Sequence, residues 1–293
     1  YAMHITLGSG ASRVLDLCDV DSDKWRQFAA SHGQPMKAVY AREARTLSAV
    51  ETNCVREFDV TLVIAEPEAR LLREQTGDDA DRIRVVGNGV DTDYFDPSRE
   101  YERPFSVDSR AIVFTGAMDY HANVDGVQWF ARDVLPAIRR ARPDAVFVIV
   151  GANPSAHVRA LAEVSGVVVT GRVLDVRPYL AHSAVVVAPL RLARGVQNKV
   201  LEALAMARPA VVTPNAVQGI PSALEAGVLV TADAAAMSEA VIRCLDAGQA
   251  ENQGRRFVIE RYAWPQHLRK VSALFRTGPV ATVAQHGTSA AVA

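Results

Sequence analysis

From Ala111 onward the chain alternates between short apolar runs and stretches long enough for helices. The runs are Ala111–Thr115, Ala145–Val150, Val167–Thr170, Ala184–Pro189, Ala210–Thr213 and Gly227–Val230. Helical stretches stand between and after them: Asn123–Arg140, Ser155–Glu163, Asp175–Ala181, the segment around Asn198–Ala207, and Asp233–Gly248. A run such as Val146-Phe147-Val148-Ile149-Val150 shows no polar alternation, so a sheet covered on both faces suits it. Strand and helix in strict turn imply right-handed crossovers. The expected fold class is therefore α/β, with a doubly wound parallel sheet of about six strands in this half.

The front of the chain is thinner in strands. Arg13–Leu17, Asp59–Ala65 and Arg82–Val86 read as three, with helices at Pro35–Phe58 and Glu66–Gln75. Val39, Leu47, Val50, Cys54 and Phe58 form the expected apolar face of the long helix, while Glu43 and Glu51 read as solvated. The acidic turn Cys18–Trp25 leads from strand to helix, with Asp21 or Ser22 as the expected cap. That turn fails the calcium-loop spacing, since Lys24 stands at the sixth position from Asp19 and Ala30 at the twelfth. No glycine-rich βα turn follows a convincing first strand, and Ser98–Ser109 reads as a linker. The expected organisation is a partial Rossmann-like N-terminal domain over 1–103 and a complete Rossmann-like domain over 104–250. Helices follow over 251–276, interrupted at Trp264-Pro265, and then a disordered tail over 277–293.

Composition removes several functions. A net charge of −1 over 293 residues argues against bulk affinity for nucleic acid or acidic membranes. No apolar run is long enough to span a bilayer, and Tyr1–Ser12 lacks the pattern of a signal peptide. The cysteines (Cys18, Cys54, Cys244) have neither disulfide nor metal spacing and read as reduced thiols of a cytoplasmic protein. His121 reads as a surface loop residue and His182 as structural, while Trp25, Trp129 and Trp264 read as core anchors.

The densest chemistry lies in Arg194–Pro209, between two strands. Gly195 allows a tight turn, Asn198 reads as a helix cap, and Val200, Leu201 and Leu204 supply an apolar face. A helix N-terminus at the carboxyl end of a parallel strand is an anion site, because its free N–H groups and dipole point outward. Lys199 adds a positive charge and Glu202, three residues on, shares its helix face. A cation for phosphate and a carboxylate for sugar hydroxyls together fit a nucleotide-sugar. The plainer reading is a surface ion pair between the two.

An ordered set of short blocks carries a resemblance. They are Val85–Asp91, Phe114–Tyr120 through Asn123-Val124-Asp125, Val150-Gly151, Gly171-Arg172-Val173, Pro189-Leu190, and Asn198-Lys199-Val200-Leu201-Glu202-Ala203, with Asp19–Trp25 at the front. Over residues 13–275 the chain resembles GT-B retaining glycosyltransferases of the family 4, or group 1, type. It looks most similar to sugar transferases of bacterial exopolysaccharide and exosortase-associated loci. The family's longer front implies that the N-terminal domain is truncated here, and the family's C-terminal crossing falls at Arg255–Trp264.

The resemblance also implies roles. Glu202 matches the second acid of the family's Glu-x7-Glu pair, which holds the ribose; the first acid falls at Arg194, a reversal of charge. Gly195, Val196, Gln197, Asn198 and Lys199 match the stretch that binds diphosphate and sugar. Gly116, Met118 and Asn123 lie where many relatives place diphosphate-clamping cations, and neither Met118 nor Asn123 is cationic, so Lys199 and Arg194 are expected to take over. Arg172 and Val173 match the segment against the base. Asp19 and Asp21 occupy the place of the family's N-domain histidine and stand with Lys199 as catalytic candidates. Asp19-Val20-Asp21 and Asp91-Thr92-Asp93 match Asp-x-Asp, but both lie in the acceptor-side half, so no metal and no cofactor is expected. The implied reaction moves a sugar from a nucleoside diphosphate sugar to a glycan or lipid-linked acceptor. A lipid-linked acceptor would bring the protein to the inner face of the plasma membrane. The alternatives are a nucleotide-sugar epimerase on the same fold, and a non-catalytic nucleotide-sugar-binding protein or inactive fragment.

Overall fold

The computed structural model describes residues 12–193, 195–220, 222–247 and 253–276. The expected disordered tail and the first residues of the 251–276 helical segment lie outside them. Two compact units are present. The first holds the described residues up to Val63, Ala69–Val85 and those from Arg269 on; the second holds Ile64–Glu68 and Val86–Leu268.

The first unit contains β1 (Val14–Cys18), α1 (Asp21–Ser31), α2 (Met36–Glu57), β2 (Val60–Val63), most of α3 (Glu66–Thr76), and β3 (Ile83–Val85). The strands form a parallel sheet in the order β1-β2-β3. Its buried apolar cluster is small: Val20, Val55, Val63, Ala69, Leu72 and Ile83. Two expectations are corrected here. The cap position of α1 is Val20, which offers no side-chain acceptor; Asp21 opens the helix and Ser22 lies within its first turn. The acceptor comes instead from α2. Glu51 Oε1 accepts the Ser22 N–H at 2.9 Å and Oε2 accepts the Ser22 hydroxyl at 2.5 Å. Glu51 is therefore not on a solvated face; it is only 4% exposed. A carboxylate satisfies the free N–H groups at a helix start and suits its dipole. With Glu51 turned inward beside Ala44, Cys54 and Val55, Val39 and Val50 are left exposed.

The second unit carries β4 (Arg110–Thr115), α4 (His121–Trp129), α5 (Leu135–Ala141), β5 (Ala145–Val150), α6 (Ala156–Arg159), β6 (Val167–Gly171), α7 (Arg177–Ala181) and β7 (Val185–Ala188). It continues with α8 (Asn198–Ala205), β8 (Ala210–Val212), β9 (Leu229–Val230), α9 (Ala234–Ala247) and α10 (Gln253–Arg261). α11 (Trp264–Arg276) is divided between the units at Leu268/Arg269. The six strands are parallel, in the order β6-β5-β4-β7-β8-β9. Phe114, Phe130, Phe147, Ile112, Ile149 and Leu180 are fully buried, and the rings of Phe130 and Phe147 lie 4.5 Å apart between centroids. The helix expected over Asn123–Arg140 is two helices joined by a widened turn at Phe130–Val134. Pro136, at the start of α5, lacks the N–H that would continue the regular ladder. The break at Trp264 is present, with Val90 bridged to Ala263 between α10 and α11. The stretch read as a linker is pinned to this unit, because His182 Nε2 meets the Tyr101 carbonyl at 2.6 Å. His182 is thus structural. Among the described residues no helix is long and apolar enough to cross a membrane.

Candidate functional site

The order of the six-stranded sheet reverses direction between β4 and β7. At such a switch point the loops leaving the two strands part and open a crevice at their carboxyl ends. One loop runs from Thr115 through Gly116 into α4; the other runs from Pro189 to Gln197 into α8. Across it Lys199 Nζ donates to Asn123 Oδ1 at 2.7 Å, and the ammonium lies 4.4 Å from the centroid of the Phe114 ring. Asn123 is held in turn, its Nδ2 donating to the Ala117 carbonyl at 2.9 Å. A Cβ on Gly116 would stand 2.7 Å from Asn123 Nδ2 and 3.3 Å from Lys199 Nζ, so only glycine leaves room for this meeting. The fold thus joins three expected donor residues, Gly116, Asn123 and Lys199.

The loop into α8 is shaped by two glycines. Gly195 has φ +63°, in the left-handed region. Gly219 packs so closely that a Cβ there would run into the main chain of Gly195 and Val196. Sequence reasoning missed Gly219; its signal is its place in the turn-rich segment after β8. The loop is also pinned where it leaves β7. Thr213 Oγ1 donates to the Leu190 carbonyl at 2.6 Å, Asn215 Nδ2 donates to the Arg191 carbonyl at 2.5 Å, and Arg191 Nε donates to Asp125 Oδ2 at 2.9 Å. Arg194 lies outside the described residues. The cap of α8 is a correction: Gln197 takes the position without a side-chain hydrogen bond, and Asn198 is the exposed first helical residue. A residue already in helical geometry does not supply the cap.

Lys199 and Glu202 are both half-buried on α8. Burial pushes the Lys199 ammonium down to about 8, with the Glu202 charge acting in the opposite sense. Burial pushes the Glu202 carboxyl up, and Lys199 offsets this only in part. The two make no ion pair with each other within 4 Å, so the surface-pair reading does not describe them. The two lie three residues apart on α8, each feeling the other's charge without a contact ion pair.

The remaining expected residues fare differently. Met118 has its side chain fully buried, its N–H donates to the Ala152 carbonyl and its carbonyl accepts from Ser155 N–H. An apolar side chain beside β5 gains more from the core than from the crevice. Arg172 is exposed just past β6, and Val173 packs against the core. That loop is stiffened by residues the sequence did not flag. Arg177 Nε donates to Asp175 Oδ1 at 2.9 Å, and its guanidinium lies 3.8 Å from the centroid of Tyr94. In the first unit, Asp19 and Asp21 are exposed just past β1. Partial desolvation by the neighbouring chain, with the Asp21 charge second, pushes the Asp19 carboxyl up, while Asp21 lies 4.0 Å from Lys24. The second Asp-x-Asp is a turn: Asp91 Oδ1 accepts the N–H groups of Asp93 and Tyr94.

Parallel sheets of this kind, with the crevice at a strand-order reversal, define a GT-B-like α/β fold, and solved glycosyltransferase structures share it. A glycosyltransferase from Rickettsia africae ESF-5 superposes with a TM-score of 0.60 at 17% identity, covering 74% of this chain and 62% of that one. Anabaena HepE in complex with UDP and glucose gives 0.63 at 13%, covering 90% and 71%. Sucrose-phosphate synthase from Thermosynechococcus elongatus gives 0.64 at 15%, covering 90% and 67%. The chain therefore spans less than two thirds of the Rickettsia protein's length. Within that class, residues 109–247, the body of the second unit, match the family described as glycosyl transferases group 1. No curated protein matches the sequence.

Proposed function

We propose that the protein is a retaining glycosyltransferase that uses a nucleoside diphosphate sugar, with 104–250 as its donor-binding domain and the N-terminal part on the acceptor side. The observation that carries this is Lys199 and Glu202 on one helix at the strand-order reversal, half-buried and not paired with each other. The group 1 match over the same residues and the UDP and glucose held by HepE support it.

In this reading the first N–H groups of α8 and Lys199 receive the diphosphate. Glu202 accepts hydroxyls of the ribose, and Arg172-Val173 lie against the base. As the bond from the anomeric carbon to the diphosphate oxygen breaks, negative charge grows on that oxygen. A preorganised cation and helix-terminal N–H groups stabilise it. The acceptor oxygen bonds to the anomeric carbon on the face the diphosphate leaves, and its proton passes to the departing phosphate. Lys199 thus acts on the leaving group, and Asp19 and Asp21 belong to acceptor handling. This chemistry calls on no metal. The acceptor is a glycan or lipid-linked glycan of exopolysaccharide assembly, met in the cytoplasm or at the inner membrane face.

Calorimetry with a panel of nucleoside diphosphate sugars, followed by assay of nucleoside diphosphate release with and without acceptor lipids, tests the reading. Binding with acceptor-dependent release is expected. Binding without release under any condition sinks the transferase and leaves a binding protein; acceptor-free turnover to an isomeric sugar would mark an epimerase.

A further inference from the structure

Lys199 is the only lysine between Lys37 and Lys270; every other strong base in that interval is arginine. Arginine stays charged in proteins, whereas a desolvated lysine can lose its proton and swing as a compact donor. The partner that Lys199 has found is neutral. Asn123 Oδ1 accepts from Nζ, Asn123 Nδ2 is tied to the Ala117 carbonyl, and the Phe114 ring lies under the ammonium. That tie orients the amide, since only its oxygen can accept from an ammonium. Asn123 is 6% exposed, so its geometry is set by the fold rather than by solvent. Both of its polar ends are engaged, leaving it poorly placed to contact a donor itself.

We propose that Asn123 is a positioning residue: a neutral latch that holds the Lys199 ammonium at the mouth of the crevice and yields it to the donor diphosphate. This rests on the donor site proposed above. A neutral amide binds the ammonium firmly enough to fix its direction, yet loses to a phosphate, because only the phosphate adds the attraction of a full opposite charge to the hydrogen bond. A carboxylate at the same place would keep the lysine for itself and repel the phosphate. The surroundings of Lys199 agree. β4 presents Phe114, the loop after it Gly116, and α4 Asn123. Glu202 is the charged group acting on Lys199. Arg191 is engaged with Asp125, and Arg255 of α10 reaches the Ala205 carbonyl at the far end of α8.

The test reads Lys199 directly. With lysine labelled at Cε, the few lysines allow its NMR titration to be followed in the wild type, Asn123→Asp and Asn123→Ala, each checked for folding by circular dichroism. The latch predicts a midpoint near pH 8 in the wild type, higher in Asn123→Asp, and lower in Asn123→Ala, where the charged form loses an acceptor. UDP is the probe for the second reading. Its affinity should fall as pH rises above 8, up to tenfold per unit. At pH 7 it should weaken at least tenfold in Asn123→Asp and several-fold in Asn123→Ala. Lys199→Arg should bind UDP with no step near pH 8. A Lys199 midpoint indifferent to residue 123 overturns the latch, whatever UDP does. A midpoint that follows residue 123 in a protein that binds no UDP upholds the hold on Lys199 and sinks the donor site instead.

Discussion

In the second unit, six strands bury Phe114, Phe130, Phe147 and a wall of valines, and Lys199 points its ammonium at an amide and a ring. In the first unit, among the described residues, three strands pack with a cluster of six small or medium apolar residues, and a buried carboxylate closes the start of α1. Ser48 and Gln75 extend that polar network, the Ser48 hydroxyl donating to Gln75 Oε1 at 2.9 Å. The difference teaches where polarity is used. The large core holds at its rim a half-buried cation whose hydrogen-bond partner is a neutral amide. The small core puts its buried acid into holding two helices together.

Four experiments press on that contrast. The largest effect is expected from Phe147→Ala, which empties a fully buried site beside Phe130 and should cost about 3–5 kcal/mol in denaturant unfolding. A loss under about 1 kcal/mol would mean that the large core is not what carries the second unit. Next, Glu51→Ala leaves the Ser22 N–H and hydroxyl without their acceptor, at about 2–3 kcal/mol, with partial recovery in Glu51→Gln. Hydrogen exchange should localise that loss to the first unit; protection lost equally in β4 and β5 would erase the distinction between the units. Third, Glu202→Ala should weaken donor binding by about 1–3 kcal/mol in calorimetry through loss of a half-buried hydroxyl contact. An unchanged affinity removes Glu202 from the site.

The fourth experiment concerns pH and stability. The folded Lys199 value of about 8 lies below its ordinary 10.5, so between these the unfolded chain holds more protons. Stability of the wild type relative to Lys199→Met should therefore be flat below pH 8, rise from about 8 to 10.5, and level off. Thermal melts of the two proteins across that range check the sign. A difference that falls with pH would show that the attraction of Glu202 outweighs the burial of Lys199 on folding.

Much of the second unit was legible because each strand is a continuous apolar run and each helix carries an apolar stripe. The glycine at 195 and the pair Lys199 and Glu202 were legible for the same local reason, since residues three apart on a helix share a face. Legibility failed where a neighbour decided. The spacing of Val39, Leu47, Val50 and Phe58 implied one buried face for α2, but α1 packs on a face that includes Glu51, and Val39 and Val50 stay exposed. Met118 carried no local sign of pointing into the core rather than the crevice. Arg177 and Tyr94, far apart in sequence, gave no hint that their stacking would stiffen the loop after β6.

The sequence by itself determined the parallel α/β class, the placing of a helix after a glycine-bearing loop, and a lysine and glutamate on one face of it. These follow from periodicity and turn chemistry, which act within a few residues. Only the tertiary structure decided that β4 and β7 are neighbours and that Asn123 meets Lys199 across 76 residues. It also decided that Glu51 is buried and that Lys199 and Glu202 are not paired with each other. Periodicity says which side of an element avoids water; it does not say which element arrives to cover that side, and the chemistry of each buried charge is set by that arrival.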